Sequence, residues 1–277
     1  MTVEPETMTV EPEAIRRLTR DLRLSAGVLG PEEARFVVDY YYRLQEDRIR
    51  AGHQERQLAK AEEPHQLISW AQEQNRILET QVIGALNVYS DSQVVGHWSK
   101  SIVGIGPVLS AGLLAHIDIT RAPTVGHIWR FAGLDPTVTW EKGKKRPWNA
   151  DLKVLCWKIG ESFVKQQNNP KDIYGHVYAA RRALEDERNQ AGEYQEQAQA
   201  KLQRFRIGTK TEAFAAYSAG QLPPGHVYAR AKRYTVKLFL SHWHHVAYEA
   251  HYGTPPPKPY VLEHMGHVDF FAPPNWP

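Results

Sequence analysis

The feature that most restricts the fold of this chain is a helical spacing of apolar residues from Pro31 to about Ser90. Among many Glu, Gln and Arg residues, the apolar residues that form stripes at this spacing are Phe36, Tyr40, Leu44, Ile49, Leu67, Trp70, Ile77, Val82 and Leu86. The spacing predicts two long helices with a break near Gly52 or Pro64. Two such helices cannot bury their apolar stripes alone. They must pack together as an antiparallel hairpin, against a second domain or against another copy of the chain.

The rest of the 277 residues contains no strand-rich block, so the sequence predicts an all-α fold. The expected segments are a disordered leader with a short helix at 1–30, a coiled-coil-like helical hairpin at 31–95, a compact helical domain at 96–252 and an extended proline-rich tail at 253–277. Within the third segment, the predicted helices include Ala150 to about Gln167, Ile173 to Leu202 and His226 to about Tyr252.

Composition is that of an ordinary globular protein, and its charge distribution favours a polyanionic partner. With 42% apolar residues, no apolar run of transmembrane length and no signal-peptide pattern, we expect a cytoplasmic protein with no membrane partner. The single cysteine, Cys156, excludes an internal disulfide and a cysteine-rich zinc site. Net charge is +3, but residues 1–95 carry about −5 and residues 96–277 about +8, and a positive surface suits nucleic acid.

A glycine turn that leads into a helix lies between Ser101 and Ile117, where the basic part begins. Gly104 and Gly106 permit backbone angles closed to other residues, and Pro107 suits the first position of a helix. We expect the N–H groups of Gly104, Ile105 and Gly106 to attract an anion at this helix start. These grounds alone do not distinguish one phosphate ligand from another, and a turn without any ligand is the alternative.

A short basic loop follows the turn, and its cations are Lys142, Lys144, Lys145 and Arg146. Because Trp140 and Trp148 flank these cations, the loop has the residues to pair with phosphates and stack on bases. The alternative is a solvated charge run with both tryptophans in the core. On the last predicted helix, Arg230, Arg233 and Lys237 share one face and are further candidates for contacts with a phosphate backbone.

Three blocks of sequence occur in order around the turn and the loop. They are Gly-Ile-Gly-Pro-Val-Leu-Ser-Ala-Gly-Leu-Leu-Ala-His-Ile at 104–117, His-Ile-Trp-Arg-Phe-Ala-Gly-Leu-Asp-Pro at 127–136, and Asn-Ala-Asp-Leu-Lys-Val-Leu-Cys-Trp-Lys-Ile-Gly at 149–160. Together they resemble the C-terminal domain of the insertion-sequence 110/116/902 transposases, over about residues 98–250. The resemblance implies that segment 96–252 is a helix-hairpin-helix, transposase-like domain that grips the DNA backbone without reading bases.

The resemblance also implies two catalytic parts that we expect this chain to lack. The family joins an N-terminal ribonuclease-H-like domain, with acidic metal-binding residues, to a coiled coil and this domain. It holds a guide RNA and DNA together, and a serine of the C-terminal domain attacks DNA. Fewer than 100 residues precede the motif, and residues 140–143, Trp-Glu-Lys-Gly, stand where the family has its Ser-Gly step. Nothing near Ser162 or Ser241 supplies an activating base and an orienting group in a recognisable order, so neither serine is a predicted nucleophile.

Histidines are dense near the C-terminal end, where the candidate metal ligands are His242, His244, His245, His251, His264, His267 and Asp269. Imidazoles at this density are capable of binding zinc or another divalent ion. However, His244 and His245 are adjacent on a helix and point about 100° apart, and no Cys or His-Glu-x-x-His pattern supports a site. We therefore predict no metal and no other cofactor.

These patterns together predict a DNA-binding protein related to mobile-element transposases that does not cleave strands. Its expected partner is DNA or structured RNA, and a homodimer through the long N-terminal helices is expected. Two alternatives stay open from the sequence. One is an active transposase or recombinase that acts with a partner domain or a guide RNA. The other is a protein-interaction scaffold in which the glycine turn is only a packing device.

Overall fold

The structure, a computed structural model, describes residues 17–61, 66–257 and 271–277 and divides after Ser92 into two compact units. The first unit contains α1 (Arg20–Leu24), a 3₁₀ helix (Ser25–Val28), α2 (Pro31–Lys60) and α3 (Gln66–Asp91). The second contains α4 (Val94–Ser101), α5 (Pro107–His116), a 3₁₀ helix (Ile119–Arg121), α6 (Val125–Phe131), α7 (Ala150–Gln166), α8 (Ile173–Gln190), α9 (Gln195–Arg204), α10 (Glu212–Ser218) and α11 (Pro224–Tyr252). No strand occurs in these described ranges, which confirms the all-α prediction. None of their helices has the length and apolar character needed to span a bilayer.

Helices α2 and α3 of the first unit pack together as an antiparallel hairpin. Ser69 of α3 donates a hydrogen bond to the Glu55 carboxylate at 3.3 Å, and Arg48 pairs with Glu79 further along. Residue numbers therefore rise along one helix as they fall along the other. A break at Gly52 is wrong, because α2 continues to Lys60. The alternative position, Pro64, lies outside the described residues.

The buried stripe of α2 is not the one that the sequence predicts. The buried residues are spaced at helical intervals and are Ala34, Val38, Tyr41 and Leu44. The first of them, Ala34, has a small side chain that a search for large apolar residues overlooks. Of the predicted stripe, Leu44, Val82 and Leu86 are buried, whereas several large side chains are exposed, namely Phe36, Ile49, Leu67 and Trp70. The helical period of α2 was therefore predicted correctly, but Phe36 and Tyr40 were assigned to its buried face in place of Val38 and Tyr41.

Helix α7 lies between α5 and α11 in the core of the second unit. On one side, a Cβ atom at Gly112 of α5 would lie 2.8 Å from the Leu155 side chain. On the other side, a Cβ atom at Gly160 would lie 2.5 Å from the Lys232 side chain and 3.1 Å from Val236 of α11. The two glycines therefore allow both neighbouring helices to approach α7 closely. The core around them is apolar and includes Leu152, Ile159, Phe163 and Phe239.

Local signals predict the starts of several helices correctly, but not every break. Helix α7 starts as predicted, because the Asn149 side chain accepts a hydrogen bond from the N–H of Leu152 at 2.8 Å. The single helix predicted from Ile173 to Leu202 is wrong, since α8 ends at Gln190 and α9 begins at Gln195. Between them Gly192 has φ 81°, a left-handed conformation that ends helices. The sequence prediction also missed α10.

The described end of the tail, residues 271–277, is fixed to α4 and α11 by hydrogen bonds. The Trp98 indole donates to the carbonyl oxygen of Pro274 at 2.8 Å, and the Trp276 indole donates to the Glu249 carboxylate at 2.8 Å. These contacts agree with a tail that runs along the body of the second unit. Residues 258–270 of the predicted tail lie outside the described residues.

The imidazole of His242 links the same tail to the core. Its Nε2 lies 2.9 Å from the carbonyl oxygen of Phe271, and its Nδ1 lies 2.7 Å from the Tyr174 hydroxyl. Because a carbonyl oxygen only accepts, Nε2 carries the proton and Nδ1 accepts from Tyr174. Burial lowers the pKa of His242 to about 4, so the ring is neutral at pH 7.

Protonation of His242 should destabilise the second unit as the pH falls. The unfolded chain, with an ordinary pKa of 6.5, takes up a proton before the folded chain does. The free energy of unfolding should therefore decrease between about pH 6.5 and pH 4, by on the order of 3 kcal/mol from this group. Urea unfolding of the wild type and of His242→Gln across this range measures the effect. Equal pH slopes for the two proteins would contradict the prediction.

The close approach of α7 and α11 predicts opposite effects for two Gly→Ala substitutions. Gly160→Ala should destabilise the second unit by about 1–3 kcal/mol, because the methyl group collides with the Lys232 stem. Gly126→Ala in α6 is the matched control, since only Thr124 Oγ lies near, at 3.6 Å, and helix propensity gains about 1 kcal/mol. Thermal unfolding followed by tryptophan fluorescence tests both. A Gly160→Ala protein as stable as the wild type would contradict the packing.

Candidate nucleic-acid interface

The turn between α4 and α5, residues 102–106, is held against α7. Gly104 has φ 90°, a conformation that L side chains rarely adopt. Its carbonyl oxygen accepts a hydrogen bond from the Ser162 hydroxyl of α7 at 2.6 Å. A Cβ atom at Gly104 would lie 3.0 Å from that hydroxyl oxygen. Glycine is therefore needed at this position both for the backbone conformation and for the space.

The three amides predicted to bind an anion do not have the same environment. The N–H of Ile105 donates to the carbonyl oxygen of Ile102 at 3.0 Å, and the Ile105 side chain is buried. The N–H groups of Gly104 and Gly106 have no acceptor among the described residues, and Gly106 is exposed. The Ile105 amide thus closes the turn, and the two glycine amides are the ones available to a ligand.

The first turn of α5 adds two amides that the sequence prediction did not include. Pro107 is the first residue of α5 and has no N–H, and the N–H of Ser110 already donates to the carbonyl oxygen of Gly106 at 3.0 Å. Between them, the N–H groups of Val108 and Leu109 have no intrahelical acceptor, as at the start of any α-helix. The open end of α5 therefore presents several unpaired N–H groups and the positive end of the helix dipole.

The predicted basic loop is exposed and closed on itself by a tryptophan. The Trp140 indole donates to the carbonyl oxygen of Lys144 at 2.7 Å, and the Arg146 guanidinium lies 5.5 Å from the Trp140 ring. Within the described ranges, Lys144 is the one loop cation with an ion pair, to Glu141 at 2.8 Å, and exposed pairs of this kind contribute little stability. All four predicted cations lie on the surface, as a phosphate contact requires; they are Lys142, Lys144, Lys145 and Arg146.

The predicted cation Arg230 is engaged inside the second unit. Its guanidinium pairs with Glu185 at 2.7 Å and lies 4.4 Å from the Tyr194 ring. Burial disfavours charge on Glu185, but hydrogen bonds from Tyr194, Arg230 and Arg181 outweigh it and lower the pKa to about 2. Arg230 would have to give up these bonds to reach a phosphate, so it is removed from the candidate contacts.

The other two predicted cations of α11 form no ion pair with another described residue. Arg233 is exposed, and it makes no hydrogen bond or ion pair with another described residue. Lys237 is half-buried, with its amine 4.1 Å from the Trp129 ring. Burial lowers the pKa of Lys153 on α7, and the nearby charges of Arg233 and Arg146 lower it further. The structure thus brings Arg146, Lys153 and Arg233 together on one surface.

The glycine turn and this cationic surface lie on opposite faces of α7. The turn contacts Ser162 and Phe163, whereas Lys153 belongs to the cationic surface. Successive helical residues are rotated by about 100°, so Ser162 and Lys153, nine positions apart, project about 180° apart. The candidate contacts predicted from the sequence therefore form two separate surfaces rather than one.

Both serines considered as nucleophiles, and one histidine considered as a metal ligand, form hydrogen bonds with backbone carbonyl oxygens. The Ser162 hydroxyl donates to Gly104, and the Ser241 hydroxyl donates to the carbonyl oxygen of Leu238 at 2.7 Å. His244 bonds the carbonyl oxygen of Ala122 at 2.8 Å. Among the described residues, no group of three His, Cys, Asp or Glu side chains is placed to hold a metal ion. Three of the seven candidate ligands, His264, His267 and Asp269, lie outside the described ranges.

Sequence reasoning missed two kinds of candidate residue. Val108 and Leu109 follow directly from the position of Pro107 at the start of α5, because the second and third residues of a helix keep unpaired N–H groups. Lys153 and Trp157 are four residues apart on α7 and therefore share a face, a spacing visible in the sequence. Their approach to α11 is not visible there, because it depends on tertiary packing at Gly160.

Comparison with protein families gives one result for the segment that holds this turn. Residues 98–146 match the family described as Transposase IS116/IS110/IS902 family. This segment is similar to a mobile-element transposase domain. It contains the end of α4, the glycine turn, α5, α6 and the basic loop. Comparison with curated proteins and with solved structures gives no match.

Proposed function

We propose that this protein binds the phosphate backbone of duplex DNA through the turn between α4 and α5, as a helix-hairpin-helix module does. The observation that carries the proposal is a set of N–H groups at the open end of α5, on Gly106, Val108 and Leu109, that have no acceptor among the described residues. A phosphate oxygen at this position accepts two or three N–H bonds and lies at the positive end of the helix dipole. The transposase-family match over residues 98–146 supports the proposal, because it includes this turn.

The turn is suited to hold a ligand without rearrangement. The φ of 90° at Gly104 and the bond from Ser162 fix the backbone before any ligand arrives. A binding site that is already ordered avoids much of the entropy cost of ordering groups on binding. The same bond fixes the turn to α7, which is buried on the faces toward α5 and α11.

Contacts of this kind recognise the backbone and not the base sequence. Gly104 and Gly106 have no side chain, and the side chain of Ile105 points into the core. Base sequence is read by side chains in the grooves of DNA, whereas phosphate contacts only position the protein. We therefore propose binding that tolerates any base sequence and weakens steeply with salt.

We assign binding rather than strand cleavage to this protein. The two serine hydroxyls weighed as nucleophiles donate to backbone carbonyl oxygens, and neither has a histidine or carboxylate partner in the described part of the chain. A serine nucleophile needs an adjacent base to take its proton. The relation to mobile-element transposases is then one of DNA recognition.

Gly106→Asp should lower the affinity of the protein for DNA without lowering its stability. Gly106 has φ −90° and ψ 179°, which any residue adopts, and a Cβ atom there meets nothing within 4 Å. The new carboxylate can cap the N–H of Leu109, so the fold should be at least as stable as the wild type. It also occupies the proposed phosphate position with a like charge. Affinity for a short DNA duplex, measured by fluorescence anisotropy at low salt, should fall about tenfold or more.

Two control variants make this test specific. Gly106→Ala fills the same space without a carboxylate and should bind within about twofold of the wild type. Gly126→Asp adds the same charge at the start of α6, where the glycine is exposed, and should also retain affinity. If Gly106→Asp binds as the wild type does, or if Gly126→Asp weakens binding equally, the turn is not the DNA contact.

A further inference from the structure

A basic cleft of about 480 Å³ lies between the turn after α6, α7, α9 and α11. We use the name basic cleft for the space lined by residues 133–136 and by the side chains of Lys153, Trp157, Lys201, His226, Lys232 and Arg233, among others. Four of these side chains are cationic, and Asp135 is the one carboxylate among the lining residues. The cleft is on the face of α7 opposite to the glycine turn, so it is a different site from the proposed duplex contact.

Three of the four cations of the basic cleft have no carboxylate partner in the described part of the chain. Lys232 pairs with Glu161, but Lys153 and Lys201 instead have their amines over aromatic rings, at 3.9 Å from Trp148 and 4.8 Å from Phe205. Arg233 has no carboxylate partner among the described residues, and it is exposed. Positive charge therefore exceeds negative charge in a concave site, which concentrates the field and attracts an anion.

The positively charged groups in and around the basic cleft repel one another, as expected for a site with no bound anion to balance their charge. Burial lowers the pKa of His226, and the charges of Lys201, Arg230 and Arg233 lower it further. Arg233 also contributes to the lowered pKa of Lys153. An anion in the cleft would relieve this repulsion at several groups together. A phosphate is well suited because an arginine guanidinium and a lysine amine both donate to its oxygens.

An exposed tryptophan lies at the edge of the basic cleft. Trp157 is 57% exposed, which is unusual for such a large apolar side chain, and the Lys232 amine lies 4.9 Å from its ring. One helical turn before it on the same face is Lys153. A flat aromatic surface beside several cations is the arrangement with which proteins bind an unpaired nucleotide, the base on the ring and the phosphate on the cations.

We propose that the basic cleft binds one nucleotide of a single-stranded nucleic acid, with its base stacked on Trp157 and its phosphate held by Arg233 and Lys153. A duplex does not offer this contact, because neighbouring bases already cover both faces of each paired base. The cleft volume falls within the range of about 300–1,000 Å³ that is usual for small-ligand sites, so it suits one nucleotide and not a double helix. This proposal does not rest on the duplex contact at the glycine turn.

The test measures binding of a labelled oligo(dT) strand of about 12 nucleotides to the full chain by fluorescence anisotropy. Trp157→Ala and Arg233→Gln should each weaken oligo(dT) binding about tenfold, whereas Trp157→Phe, which keeps a ring, should stay close to the wild type. Trp70→Ala and Lys210→Gln are matched controls, because both residues are exposed and neither lines the basic cleft. Neither control should change the affinity by more than about twofold.

The same variants distinguish this site from the glycine turn. Gly106→Asp should leave oligo(dT) binding unchanged, and Trp157→Ala should leave duplex binding unchanged. If Trp157→Ala binds oligo(dT) as the wild type does, or if Lys210→Gln weakens binding as much as Arg233→Gln, the cleft proposal is overturned and general surface charge explains the binding. If Trp157→Ala weakens oligo(dT) binding but Gly106→Asp binds the duplex as the wild type does, only the duplex proposal is overturned.

Discussion

The packing of α7 between α5 and α11 is the constraint on which both candidate surfaces depend. Gly112 and Gly160 let the two neighbouring helices approach α7 more closely than a Cβ atom would allow. On the α5 side, this approach brings Ser162 to the carbonyl oxygen of Gly104 and fixes the glycine turn. On the α11 side, it brings Lys232 against Trp157 and forms the basic cleft. One buried helix thus positions two surfaces.

The two candidate surfaces owe their positive charge to different groups. At the start of α5 the positive charge comes from unpaired backbone N–H groups and the helix dipole, and it cannot be removed by protonation changes or by most substitutions. In the basic cleft it comes from charged side chains. Burial lowers the pKa of Lys153 and His226 there, and neighbouring cations lower it further. The start of α5 therefore suits the regular phosphate backbone of duplex DNA. The basic cleft suits a ligand that has both a negative charge and an aromatic face.

Features that depend on a few neighbouring residues were predictable from the sequence. Pro107 and Asn149 mark helix starts because each acts on the backbone of its own first turn, and the glycine turn was found for the same reason. The break after Gln190 was missed because Gly192 alone ends the helix in an otherwise helical pattern. The helical spacing places Arg230 on one face with Arg233 and Lys237, so all three were predicted to contact phosphates. The partner of Arg230, Glu185, is 45 positions away in the sequence and becomes its neighbour only through folding.

The most direct test of the account is whether the amides at the start of α5 meet DNA. A titration of the ¹⁵N-labelled full chain with a short DNA duplex, followed by amide resonances, observes these groups individually. The account predicts that the signals of Gly106, Val108 and Leu109 shift together as duplex is added, while that of Ile105, already bonded to Ile102, moves less. Unchanged signals at Gly106, Val108 and Leu109, with shifts confined to other parts of the chain, would contradict it.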